Sequence, residues 1–248
     1  MDKETNKSVA LILAAGKGTR MQSTLPKPIV PFRGKPIVSY IIDAFTKAGI
    51  QDKYLIVGHG AELVKEEIGD EVNYILQSEQ KGTAHAVSQL MNPKVWKDKN
   101  IFVFVGDSPL ITAQTIKKLE RHHIKMQAAC TFLTAIFPID LPYARVVKSI
   151  DGNVLACVEE KNATQEELAI RELLSSHFIF KGNELFFFLK EIKADKDNQE
   201  YYLTDIISVF LKNKLRVEAL MIPNYKELVG LNTPEDLTWA EEVFVLNN

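Results

Sequence analysis

Leu11-Ile12-Leu13-Ala14-Ala15-Gly16-Lys17-Gly18-Thr19-Arg20-Met21, continued by Leu25-Pro26-Lys27, is the segment around which the rest of the chain is arranged. The apolar run 9–13 passes directly into small residues and two glycines. A buried strand that ends this way leaves a loop whose backbone can approach a ligand closely, because no Cβ stands in the way, and whose N–H groups can point at anionic oxygens. Arg20 and Lys27 bring positive charge to the same place. Gly16-x-Gly18 alone is equally the pattern of a plain turn. A dinucleotide-binding fingerprint would carry a third glycine opening a helix, and a Walker loop would carry Gly-Lys-Ser/Thr; the segment has neither.

Working outward, short apolar runs alternate with amphipathic ones, as in a parallel sheet covered by helices. The runs 9–13, 54–57, 72–76 and 101–105 predict buried strands. Residues 36–48 place Ile37, Tyr40, Ile41, Ala44 and Phe45 on one helical face, with Pro36 in the first turn and Gly49 at the stop. Shorter helices are expected at 61–68 and 83–90, and another at 112–122, which opens on a Thr cap and sets Ile116 and Leu119 three apart. Beyond about residue 128 the pattern turns β-rich, with strands at 130–136, 144–149 and 154–159 and a hairpin turn at Asp151-Gly152. Helices return at 184–189, 204–211 and 234–245, with a strand at 217–222. The expected fold is α/β and Rossmann-like, a mixed, mainly parallel sheet flanked by helices, with a β-rich subregion appended. Residues 1–248 read as one domain, in which about 8–127 form one half, about 128–233 the other, and 234–248 a C-terminal helix.

Three further segments carry polar groups suited to a ligand. Gln77-Ser78-Glu79-Gln80-Lys81-Gly82-Thr83-Ala84-His85-Ala86 follows a predicted strand and opens a predicted helix, which puts it at the carboxyl edge of the sheet, where open α/β folds bind ligands. The Gln77 amide can both donate to and accept from the edge of a base, whereas Gly82 and Thr83 can equally be a helix start and His85 a packed side chain. In Val103-Phe104-Val105-Gly106-Asp107-Ser108-Pro109-Leu110 a carboxylate directly follows an apolar strand. There it can bind a hard cation through oxygen, or cap the next turn. In Glu200-Tyr201-Tyr202-Leu203-Thr204-Asp205 the two tyrosines fit a core or a cleft equally.

The bulk numbers exclude several classes. At 248 residues and 46% hydrophobic the chain can bury one substantial core and is not disordered. A formal charge of −2 gives no general footprint for nucleic acid or a membrane surface. Cys130 and Cys157 sit in apolar stretches without a second Cys or His at metal-ligand spacing, so buried thiols of a reducing compartment are expected rather than a disulfide. The polar start and the run 9–15 have no signal-type cleavage context, and no run approaches the roughly 20 apolar residues that span a bilayer. These features predict a cytoplasmic protein acting on small molecules, without nucleic-acid or membrane partners and compatible with a homo-oligomer.

In their order along the chain these motifs resemble the sugar-nucleotide pyrophosphorylase family of nucleotidyltransferases, and within it the N-acetylglucosamine-1-phosphate uridylyltransferase domain of the bifunctional enzyme that makes UDP-N-acetylglucosamine. The resemblance runs from Val9 to about Leu237. It implies an enzyme of cell-wall precursor synthesis that joins UTP to N-acetylglucosamine 1-phosphate and releases pyrophosphate, with Mg²⁺ as cofactor. It further implies nucleotide binding by Leu13, Ala14, Ala15, Gly16, Gly18, Gln77, Gly82 and Thr83, and catalysis by Arg20, Lys27 and Asp107. Val229-Gly230-Leu231-Asn232-Thr233 resembles the family segment whose asparagine is the second metal ligand, so the implied metal pair is Asp107 and Asn232. The implied sugar contacts are Ala144, Glu159, Lys161, Tyr202, Thr204 and Asn232.

Three positions depart from the family pattern. Ala144, in Tyr143-Ala144-Arg145, stands at a usual glycine; Leu174 stands at a usual asparagine and Ser176 at a usual glycine in Glu172-Leu173-Leu174-Ser175-Ser176-His177. One missing sugar-contacting amide costs about 0.5–1.5 kcal/mol, so the identities of the sugar and of the triphosphate stay open. The alternatives are a same-fold enzyme using another nucleotide or phosphorylated acceptor, and a degenerate nucleotide-binding regulatory module. The sequence lacks the hexapeptide repeats that carry acetyl transfer in the bifunctional relatives, so no acetyltransferase domain is expected.

Overall fold

A computed structural model of the chain describes residues 8–90 and 93–246; the start of the predicted domain, 1–7, and its last two residues lie outside the described residues. The first half runs β1 (Ser8–Ala14), a small hairpin of β2 (Pro31–Phe32) and β3 (Lys35–Pro36), α1 (Ile37–Ala48), β4 (Lys53–Val57), α2 (Ala61–Ile68), β5 (Asn73–Leu76), α3 (Thr83–Ser88), β6 (Asn100–Val105) and α4 (Ala113–Met126). The second runs β7 (Cys130–Ile136), β8 (Ala144–Lys148), β9 (Val154–Val158), α5 (Gln165–Leu168), β10 (Glu172–Lys181), α6 (Gly182–Phe188), α7 (Ile206–Lys212), β11 (Val217–Met221) and α8 (Pro234–Leu246).

β1 pairs in parallel with β4 on one side and β6 on the other. Val9 and Leu11 pack into one core layer and Ala10 and Ile12 into the opposite one, all fully buried. A strand covered on both faces has no polar side, which is why this segment reads as an unbroken apolar run. The main sheet has the order β11-β7-β10-β6-β1-β4-β5, with β8 leaving β10 to pair with β9. Along that order β10 alone runs against its neighbours β6 and β7; every other adjacent pair is parallel. The chain leaves β1 for β4 on one flank and reaches β6 on the other, so the carboxyl ends of β1 and β6 open side by side at a topological switch point.

α1 forms as its periodicity predicts, burying Ile37, Val38, Ile41, Ile42 and Phe45, and it stops at Gly49, whose φ of 95° suits a residue without Cβ. Phe45 meets Phe102 and Phe104 of β6 with ring centroids 5.4 and 5.0 Å apart. That contact fixes the helix over the strand that leads into Asp107. Among the described residues no helix is long and apolar enough to cross a membrane. Both cysteines are free, Cys130 buried and Cys157 half-buried.

Several elements differ from expectation. The run 72–76 is not a buried strand: β5 is the sheet edge and only half-covered. α4 continues to Met126, where Gln127 turns left-handed with φ 52°. The β-rich stretch is woven into the main sheet instead of being appended to it, because β10, ten residues long and not expected as a strand, inserts between β6 and β7; only the β8–β9 hairpin stands off. Its pattern is hidden by a bulge between Leu174 and Phe178, where Ser176 takes φ 63°.

A left-handed conformation costs an L-residue with a Cβ roughly 1–2 kcal/mol, and glycine's extra unfolded-state freedom gives back about 0.5–1 kcal/mol of that. Ser176→Gly is therefore expected to stabilise the fold by about 0.5–1 kcal/mol, read as a higher denaturation midpoint at unchanged slope. A lower midpoint would show that the serine side chain contributes more than its backbone strain costs.

Candidate active site

The loop leaving β1 folds back over Lys27. Gly18 has φ 60°, and a Cβ there would lie 2.5 Å from the Lys27 Cβ, so only glycine lets the two approach. Met21 and Leu231 share a small core cluster with Val30, Phe32, Ile37 and Ala240, and this packing brings the Arg20 loop against the segment that carries Asn232. Lys27 sits on a single tight turn, Lys27–Ile29, whose Pro28 and Ile29 are buried. Its ammonium reaches Asp107 Oδ2 at 2.5 Å and Asn232 Oδ1 at 2.8 Å. Arg20 Nη2 donates to the same Asn232 oxygen at 3.0 Å.

Asp107 is held by the backbone on both sides. The Gly106 N–H donates to Leu13 O at 2.8 Å, joining the ends of β1 and β6, and the Leu231 N–H donates to Asp107 O at 2.8 Å. At Gly230 a Cβ would meet Asp107 Oδ1 at 2.9 Å, so the absence of a side chain permits this approach. The Gly230 N–H donates to the hydroxyl of Tyr143 at 2.9 Å; burial pushes that phenol well above its ordinary range and keeps it neutral. At the start of α8, Asp236 accepts from the N–H groups of Asn232 and Thr233 at 2.7 and 2.9 Å, while Thr233 Oγ1 accepts from the Asp236 N–H at 3.2 Å. This reciprocal cap fixes Asn232. Its amide nitrogen donates to Gly230 O at 2.9 Å, which leaves its oxygen facing the two cations. A carboxylate and an amide oxygen thus converge on one ammonium, a donor pair that also fits a hard divalent cation.

Two cavities meet at Asp107. The first, about 280 Å³, is lined by Leu13, Ala14, Ala15 and Gly16 of the loop, by Gln77, Gly82 and Thr83, and by Lys27, Asp107 and Tyr202. The second, about 340 Å³, takes in Arg20, Asp107, Ala144, Glu159 and Asn232. Gly82, with φ 94°, packs its Cα against the Tyr201 backbone, and Thr83 Oγ1 accepts from the Leu203 N–H at 2.9 Å, so the segment carrying Tyr202 is laced to the start of α3. The Gln77 amide nitrogen faces Gly82 O at 3.2 Å and His85 Nδ1 at 2.9 Å. His85 therefore stands behind Gln77 and orients it.

Three expected site residues lie behind the cavities instead of lining them. Gly18 supports Lys27. Lys161 is drawn outward, 2.6 Å from Asp195 and 4.9 Å from the ring centre of Tyr202. Thr204 is buried and bonds Glu159, whose carboxyl is raised above its ordinary range by burial and pulled partly back by that bond. Sequence reasoning missed Gln80 and Glu200 on the first cavity, and Tyr143 and Asp236 on the second. For Asp236 a local signal existed, since Thr233-x-x-Asp236 after an apolar run is the pattern of a helix cap.

Residues 10–165 match the family model of the MobA-like NTP transferase domain. The chain is 42% identical over 233 residues to the bifunctional protein GlmU of Exiguobacterium sibiricum, a match covering 94% of this chain and 52% of that protein. It is 40% identical over 237 residues to the bifunctional protein GlmU of Geobacillus sp. strain WCH70, covering 96% and 52%. The chain thus spans about half the length of the curated relatives it matches. A crystal structure of UDP-glucose pyrophosphorylase complexed with UDP-glucose aligns with a TM-score of 0.76 over 97% of this chain and 99% of that one, at 19% identity, a likeness of fold. Because the residues that match the family model run from β1 through β9 and make up well over half of the chain, it belongs to the family of MobA-like NTP transferase domains.

Proposed function

We propose that the chain transfers a nucleotidyl group from a nucleoside triphosphate, UTP, to a sugar 1-phosphate, N-acetylglucosamine 1-phosphate, forming a nucleotide sugar and releasing pyrophosphate. The observation that carries this reading is the meeting of two cavities at Asp107, one walled by the glycine loop and Lys27, the other by Arg20, Glu159 and Asn232. The first suits a nucleotide, the second its acceptor. The relatives named GlmU and the fold shared with a UDP-glucose pyrophosphorylase support the same class of product. The proposed setting is the cytoplasm and cell-wall precursor synthesis.

A sugar phosphate is already an ionised nucleophile, so no general base is required and positioning with charge neutralisation carries the rate. Lys27 places its ammonium at the junction of the cavities, where it offsets charge developing on the α-phosphate. The backbone from Ala14 to Gly16 holds the triphosphate, the Gln77 amide reads the base edge, and Arg20, on the second cavity and bonded to Asn232, offsets phosphate charge where the two cavities meet. Asp107 and Asn232 would hold a divalent cation, Mg²⁺ on this reading, which when bound supplies charge stabilisation to phosphate oxygens.

One observation favours a second acceptor. Leu174 and Ala144, each 2% exposed, give the second cavity an apolar wall where an amide and a bare backbone were expected. A different phosphorylated sugar or alcohol would suit that wall.

Asp107→Ala is expected to lower turnover by at least about 10³-fold with an unchanged circular dichroism spectrum, since the variant loses the anion that organises the junction. Turnover that survives would remove Asp107 from the chemistry. A panel of nucleoside triphosphates against sugar and alcohol phosphates, read by pyrophosphate release, is expected to give its highest kcat/KM with UTP and an amino-sugar 1-phosphate. A preference for another pair selects the second reading, and binding of triphosphate without turnover on any acceptor marks a regulatory module.

A further inference from the structure

The bulge of β10 builds a polar device that none of the roles above uses. Between Leu174 and Phe178 three residues of β10 face a single residue of β7, and Ser176 takes up the slack at φ 63°. The bulge carries Ser175 onto the wall of the second cavity. His177 lies fully buried, its ring edge-on to Phe104 with centroids 4.7 Å apart. Ser175 Oγ and His177 Nδ1 are 3.0 Å apart.

Burial lowers the imidazole to about 4, so at physiological pH it is neutral, with one N–H and one bare nitrogen. Its Nε2 is buried without a hydrogen-bond partner, which costs free energy. A hydrocarbon ring would fill the same space against Phe104 without that cost, so packing does not account for a histidine here. What the imidazole contributes is hydrogen bonding to Ser175, from Nδ1 to its hydroxyl and also with its backbone, which holds the bulge and the serine side chain in place. If Nδ1 carries the proton, the Ser175 hydroxyl is free to donate into the cavity; if the serine donates to Nδ1, its oxygen is free to accept. A ligand hydroxyl, which both donates and accepts, satisfies either arrangement.

We propose that Ser175, oriented by His177, bonds a hydroxyl of the acceptor sugar and sets acceptor specificity beside the apolar wall of Leu174 and Ala144. The proposal rests on the nucleotidyl-transfer reading above. Ser175 is the residue that touches substrate, and His177 positions it.

The test uses the full chain and steady-state kinetics with the fastest triphosphate and sugar phosphate pair, read by pyrophosphate release. Ser175→Ala is expected to raise the KM for the sugar phosphate about three- to ten-fold, the effect of one lost hydrogen bond, with the KM for the triphosphate unchanged. His177→Phe, which keeps the packing on Phe104, should give the same rise. His177→Asn, whose amide can still bond Ser175, should restore most of the acceptor affinity. The double variant Ser175→Ala/His177→Phe should be no worse than either single change, because both remove one interaction. The proposal is overturned by an acceptor KM that Ser175→Ala leaves in place, by effects that add in the double variant, or by His177 variants that lower Tm alone. Wild-type protein that turns over no pair sinks the nucleotidyl-transfer reading and this inference together, whereas an active enzyme indifferent to Ser175 sinks this inference only.

Discussion

The contact between the Lys27 ammonium and Asp107, shared with the Asn232 oxygen, is what the rest of the site is arranged to hold. Its partners lie 80 and 205 residues apart in the chain, so it exists only once the sheet has closed. The side chains of the ion pair are 14% and 22% exposed, a burial at which desolvation cancels much of the Coulombic gain. The pair is therefore not the main source of stability. It is imposed by other interactions: the backbone bonds at Gly106 and Leu231, the packing of Met21 on Leu231, and the cap at Thr233 and Asp236. A cluster of charges that the fold holds in place, at some cost, is what a site for anionic phosphates requires.

The two cavities are built from different material. The first is made largely of backbone and small side chains at the ends of parallel strands, so its shape follows from strand placement and from glycines that permit close approach. The second is made largely of side chains from β8, β10, the ends of β6 and β9 and the segment before α8, so its chemistry follows from which residues stand there. All three departures from the family pattern, Ala144, Leu174 and Ser176, fall on this second cavity. The first cavity is fixed mainly by backbone geometry and the second by residue identity.

How much of this was legible depends on how each element is buried. β1, β6 and α1 declared themselves because burial on two faces gives an apolar run and burial on one helical face gives a 3.6-residue period. β10 did not, since Ser175, Ser176 and His177 interrupt its pattern at the bulge, and no periodicity survives an irregular register. β5 misled in the opposite direction, as an apolar edge strand looks the same as an interior one. The positions of Gln77 and Asp107 were readable because each follows an apolar run that the pattern defines, whereas Asn232 was readable only through the resemblance of its segment. Lys161 and Thr204 were not, because what draws them off the cavities, Asp195 and Glu159, comes from a loop and a strand end with no periodic signal.

Three irregularities lie on or directly behind the wall of the second cavity. Ser176 in a left-handed conformation, His177 with an orphaned Nε2 and Ser108 with an orphaned hydroxyl all stand within β10 or at the end of β6 beside it. Each such feature costs roughly 1–3 kcal/mol in a protein whose whole stability is of order 10 kcal/mol. Similar features occur elsewhere, in the orphaned Nε2 of His123 and Nε of Arg145 and in the left-handed Gln22, Arg33, Gln127, Gln199 and Lys214. Ser108 and Ser176 on the wall of the second cavity, with the buried His177 behind it, stand next to a carboxylate that the fold takes backbone bonds to position, so here the residues answer to the cavity as well as to the fold.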